Sequence, residues 1–99
     1  MTEIGAGGVR IKSLSFTSSF QRDRRKLDAQ LIQRLDAKLR GLLRDPMPPG
    51  LRFEKLKGYR KPALYTFHVT GNYKVSLEIQ GDIAILRRVA CHDTIDRQP

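Results

Sequence analysis

Between residues 63 and 79 the side chains alternate with a period of two, and they do so twice. In "ALYTFHV", Ala63, Tyr65, Phe67 and Val69 are apolar while Thr66 and His68 take the other parity. In "YKVSLEI", Tyr73, Val75, Leu77 and Ile79 are apolar while Lys74, Ser76 and Glu78 are polar. Successive residues of a strand project to opposite faces, so each run reads as a half-buried strand. Only Thr70, Gly71 and Asn72 separate them. A one-residue slip would turn every apolar side chain to the wrong face, which selects the odd loop. That register pairs Val69 with Tyr73 and Phe67 with Val75, and Gly71 or Asn72 is expected to supply a positive φ. It also sets His68 directly opposite Lys74 on the solvent face.

After Gly81-Asp82 the run "IAILRRVAC" is apolar on both parities, as a central or covered strand would be, with Cys91 on its core side. Its register stays open. A loop of Gln80, Gly81 and Asp82 places Arg88 opposite Lys74, with His92 further along that face; a two-residue loop puts Arg87 on that face instead, unless a bulge intervenes.

The first half carries a different period. Leu27, Leu31, Leu35, Leu39 and Leu42 or Leu43 recur at steps of three and four, with Ile32 alongside, which makes one apolar helical stripe. Thr17, Ser18 or Ser19 can cap its start and Asp28 can cap a second helix, so one long helix and a hairpin breaking at Leu27-Asp28 both fit. The opposite face carries Arg22, Arg24, Arg25, Lys26, Arg34, Lys38 and Arg40. Asp45-Pro46 stops the helix, and Pro46 to Gly50 reads as an extended connector. Upstream, Val9 to Phe16 reads as a first strand, and residues 1–8, with three glycines and little to bury, read as a flexible arm. The expected architecture is α+β: an N-terminal strand, a helical hairpin and an antiparallel three-stranded meander in a four-stranded sheet. Residues 9–99 form the single domain.

Charge speaks about partners. Lys and Arg number 19 against 10 Asp and Glu, a formal charge of +9, which suits nucleic acid or an acidic protein. No apolar run approaches the roughly 20 residues of a membrane span, and the N-terminus lacks a signal-peptide pattern. One cysteine allows no internal disulfide, so a cytoplasmic setting is expected. Two histidines without a cysteine pair or acidic cluster give no metal set, and no cofactor is expected. What remains is metal-free acid/base chemistry on a phosphodiester. RNA brings its own nucleophile, the 2′-hydroxyl, and cleavage then needs a base, an acid and cations for the charge that grows on phosphorus. His68, Lys74 and His92, with Arg87 or Arg88, supply such groups on one sheet face, and Glu54 adds a carboxylate. A solvated basic face accounts for the same pattern.

The ordered set "F-x-R-D", "L-x-x-D-P", "LRFEKLKG", "FHVTGNYKV" and "VACHDTIDRQP" resembles the RelE/ParE superfamily of bacterial toxins over residues 10 to 98. The resemblance is greatest to the histidine-bearing YafQ-type branch. It implies the toxin of a type II toxin–antitoxin system: a ribosome-dependent mRNA endonuclease that blocks translation and is held silent in a hetero-oligomer by an acidic or amphipathic antitoxin. It maps the catalytic positions onto Glu54, His68 and His92, with Lys74 where many members have arginine. Asn72 replaces an aspartate, and Asp96 stands at an RNA-contacting place where many members have a tyrosine. The basic helix face and Lys55, Lys57, Arg60 and Lys61 would dock on ribosomal RNA, and Arg87 or Arg88 would hold phosphate. A gyrase-directed toxin of the ParE type, which needs no catalytic histidine, is the alternative. A degenerate toxin fold, favoured by Asn72 and Asp96, is a third.

Overall fold

A computed structural model describes residues 10–99. The expected arm at residues 1–8 and the strand start at Val9 lie outside them. The order is β1 (Ser13–Phe16), α1 (Ser18–Arg25), α2 (Ala29–Leu42), a 3₁₀ turn (Pro49–Leu51), β2 (Glu54–Arg60), β3 (Ala63–His68), β4 (Tyr73–Gln80), β5 (Ile83–Cys91) and α3 (His92–Arg97). The α+β class holds, but the sheet has five strands, in the order β1-β5-β4-β3-β2. The additional strand is β2, in a stretch whose charged residues mask any alternation. The connector contains a 3₁₀ turn that buries Leu51, so it is not simply extended.

The helices form a hairpin, and two caps explain the break. Thr17 Oγ1 accepts the Phe20 N–H at 3.1 Å to start α1, and Asp28 Oδ1 accepts the Leu31 N–H at 2.8 Å to start α2. Arg24 then grips Asp36 through two bonds, at 3.2 and 2.7 Å, and ties the helices together. Phe20, Leu35, Leu39 and Leu42 are buried against the sheet, while Leu43 is exposed. Of the two candidates that close the stripe, Leu42 is therefore the inward one. Among the described residues no helix is long and apolar enough to cross a membrane.

The β3–β4 register is the expected one: Phe67 pairs with Val75 and His68 with Lys74. The loop achieves it differently. Neither Gly71 nor Asn72 has a positive φ; Thr70 Oγ1 accepts the Asn72 and Tyr73 N–H groups at 3.1 and 3.2 Å and tightens the turn instead. Between β4 and β5 the connection is the two-residue one, Gln80 pairing with Ile83, with Gly81 at φ +63. A bulge then absorbs Arg87, so Arg88 faces Ser76 and Ala90 faces Lys74. Neither arginine lies opposite Lys74. The bulge returns Val89 to the core beside Leu86 and Val75.

β1 pairs with β5 in parallel as far as Phe16 and Leu86. Past that point β5 would present a bare edge, and α1 covers it. Thr17 N and Oγ1 donate to the Leu86 carbonyl, and Asp23 accepts the Val89 N–H at 3.1 Å. The opposite face of the sheet, expected to meet solvent, is covered as well. Thr66, Lys74 and Ser76 are buried there, with α3 packed over β4 and β5 and its Ile95 fully enclosed.

Candidate functional site

The rows of the sheet assemble the site. Directly paired residues share a face, so one row across the strands reads Glu54, Thr66, Ser76, Arg88 and the next reads His68, Lys74, Ala90. His92 follows β5 immediately as the first residue of α3. Its N–H donates to the Asn72 carbonyl at 2.9 Å, which pins the start of α3 to the β3–β4 loop. That bond brings the His92 ring against His68, edge to face, with centroids 4.7 Å apart. Two imidazoles from well-separated parts of the sequence thus meet over one end of the sheet.

The environment separates His68 from an ordinary histidine. Burial holds its pKa below the usual value, the neighbouring His92, Lys74 and Arg52 charges push the same way, and Glu54 opposes them. A neutral imidazole at neutral pH is a competent proton acceptor. His92 Nε2 is buried and has no hydrogen-bond partner. Lys74 Nζ lies 3.0 Å from Asp96 Oδ1; the lysine side chain is 8% exposed and the aspartate 53%. The carboxylate on α3 therefore covers the cation at the centre of the site.

The structure brings together His68, His92, Lys74, Asn72 and Asp96, with Glu54 near enough for its charge to act on His68. It does not bring in the arginines. Arg88 forks onto Asp23 at 2.8 and 3.3 Å at the sheet edge, and Arg87 donates to Glu78 at 2.9 Å. Lys55 and Lys57 are exposed on the edge strand β2, and Lys55 pairs with Tyr65 on the face away from Glu54. Cys91 is exposed rather than core-side, and a hydrogen bond with Thr94 holds its thiol below the ordinary range. Among the described residues no three His, Cys, Asp or Glu side chains cluster as a metal ion would need.

Two contributors escape sequence reasoning. Arg52 combines a charge felt at His68 with a left-handed backbone, φ 53 and ψ 50, where no glycine advertises the bend. Helix α3 spans six residues, too few to display a period. Asp93 in its first turn and Arg97 in its last are the only signals, and both suit the helix dipole.

Solved structures share this architecture. A chain of the RelB–RelE antitoxin–toxin complex from Methanococcus jannaschii superposes with a TM-score of 0.67 at 26% identity, covering 86% of this chain and 99% of that one. The fold is that of the RelE/ParE toxin superfamily. A YoeB/ParE toxin from Agrobacterium tumefaciens gives 0.66 at 18% identity over 81% of this chain and 98% of its own. YafQ from E. coli gives 0.61 at 15% identity over 83% and 94%. No protein-family model and no curated protein matches the sequence.

Proposed function

We propose that this chain is the toxin of a type II toxin–antitoxin pair and that it cleaves mRNA in the ribosomal A site by metal-free acid/base chemistry. The juxtaposition of His68 and His92 beside Lys74 carries this reading. His68, held neutral, takes the proton of the 2′-hydroxyl, whose oxygen then attacks phosphorus. The P–O5′ bond breaks, the 5′-oxygen leaves with a proton supplied by His92, and a 2′,3′-cyclic phosphate remains. Lys74 offers its charge to the phosphoryl oxygens as they gain negative charge, and Glu54 moderates the cationic surroundings of His68. Lys55 and Lys57 give the exposed β2 edge a charge suited to ribosomal RNA.

The same net charge of +9 suits an acidic antitoxin. Structural relatives are seen in RelB–RelE and DinJ–YafQ complexes, and a comparable hetero-oligomer in the cytoplasm is the assembly proposed here. A catalytically silent toxin fold is the second reading, and the observation that favours it is the Asp96 carboxylate on Lys74.

A defined mRNA translated on purified ribosomes, with the 5′ ends of its fragments mapped, tests the proposal. Wild type should cut within codons at the A site, and His92→Ala should not. Intact mRNA with both proteins, together with inhibition of gyrase supercoiling, would replace this reading with the ParE-type one.

A further inference from the structure

Beneath α3 lies a polar floor whose groups have little to bond. Thr66 and Ser76 face one another across β3 and β4, both 0% exposed, and neither hydroxyl has a hydrogen-bond partner. Lys74 is two residues along from Ser76 on the same face, and its one side-chain hydrogen bond is to Asp96. His92 Nε2, also buried and without a partner, borders the same region through its contact with His68. Buried hydroxyls are ordinarily bonded, because leaving them bare forfeits the water they lost. Two such hydroxyls share a sheet face with one buried ammonium, and the single carboxylate on that ammonium leaves both of them without a partner.

What occupies the space is the chain's own C-terminal helix. Ile95 is fully buried outside the main core and acts as the plug. Asp96 puts a carboxylate on Lys74, the charge a phosphate oxygen would carry. The helix is six residues long, and a backbone bond to Asn72 anchors His92 at its start independently of the Lys74–Asp96 pair further along. Its far end is held to the sheet by the Lys74–Asp96 pair and by the burial of Ile95, while Arg97 Nε bonds the Asp93 carbonyl within the helix itself.

We infer that α3 is an autoinhibitory strap and that Asp96 is an internal stand-in for phosphate, beneath which Lys74, Thr66 and Ser76 form a subsite for a backbone phosphate of a nucleic acid. This rests on the nuclease reading for the identity of the anion's owner. It converts the Lys74–Asp96 pair from a sign of decay into a catch: the cation stays covered until a substrate phosphate competes the carboxylate away.

An all-2′-deoxy trinucleotide carries the phosphodiesters and lacks the attacking hydroxyl, so it reports binding alone. It is titrated by fluorescence anisotropy into the full chain as wild type, Asp96→Asn, Lys74→Met and the double variant, with a melting curve for each. Asp96→Asn should tighten binding about tenfold, the scale of one charge-assisted hydrogen bond. Lys74→Met in that background should abolish the gain, and inorganic phosphate should compete. Ile95→Ala, which loosens the strap and keeps both charges, should tighten binding by a smaller factor. Unchanged affinity in a cooperatively melting Asp96→Asn, or in Ile95→Ala should Asp96→Asn not fold, overturns the strap. Cleavage on ribosomes by the wild type together with that unchanged affinity keeps the nuclease and removes the strap. The binding gain without cleavage by any variant keeps the subsite and removes the nuclease.

Discussion

His68 and His92 meet edge to face with ring centroids 4.7 Å apart, one from the end of β3 and the other from the start of α3. Burial first, and then a charge on the neighbouring His92, disfavour protonation of His68. The arrangement suits a base and an acid that exchange one proton per turnover. Each ring should therefore matter, and their removal should not be additive. His68→Ala and His92→Ala are each expected to lower single-turnover cleavage by about 10²- to 10⁴-fold, the usual contribution of positioned acid/base groups. The double variant should be little worse than the poorer single one. Rates on programmed ribosomes measure this directly, and a fully multiplicative double variant would contradict a shared role.

Stability should follow the protonation of His68. Its pKa in the folded chain lies below the ordinary value, first through burial and then through the charges of His92, Lys74 and Arg52. The unfolded chain then binds this proton more readily than the folded one. The stabilisation from a neutral His68 is complete above the ordinary value of about 6.5 and diminishes as pH falls through it. It levels off beneath the depressed folded value. Urea midpoints taken from pH 8 downward should decline across this window, and His68→Gln, which has nothing to titrate, should decline less.

The β3–β4 hairpin was legible because burial and loop length agree: only an odd loop puts Phe67 and Val75 on one face, and both are fully buried. The helical hairpin was legible through Asp28, a side chain able to cap a helix where the leucine stripe already ran. Alternation fails for β5, whose apolar residues occupy both parities around two adjacent arginines, so nothing marks the bulge at Arg87. For the same reason the predicted arginine contacts with the site did not form. His68 and Lys74 could be placed together from register alone. The position of His92 depended on a backbone bond to Asn72, and the covering of Lys74 on a helix too short to announce itself. Long-range closure of this kind leaves no period in the sequence.

Asp23 should matter more to stability than its charge type suggests. It is nearly buried, takes the Arg88 fork and accepts the Val89 N–H, so one carboxylate seals the edge that β1 leaves open. Asp23→Ala strands a partly buried guanidinium and a backbone donor together. About 2–3 kcal/mol of unfolding free energy should be lost, less than for a fully buried pair because Arg88 keeps some access to water. Asp23→Asn should recover part of this by still accepting one bond. Urea denaturation of the three proteins decides it, and equal stabilities would show that solvent serves the edge as well as α1 does.

The exposed lysines of β2 should act through charge alone. Lys55 and Lys57 carry no ion pair among the described residues and are exposed on the outermost strand, Lys55 on the face away from Glu54. If they meet ribosomal RNA, each neutralised phosphate releases condensed counterions, and affinity depends on salt accordingly. Replacing both with glutamine should weaken ribosome binding at low salt. The slope of log affinity against log salt should fall by about 0.7–0.9 for each phosphate that is no longer neutralised. At high salt the variant and wild type should converge. Cleavage per bound ribosome should be unaltered, because the two lysines contribute docking charge and no proton transfer. An unchanged slope in sedimentation assays would leave the docking charge to the helix face alone, where Arg22, Arg25 and Arg40 are exposed.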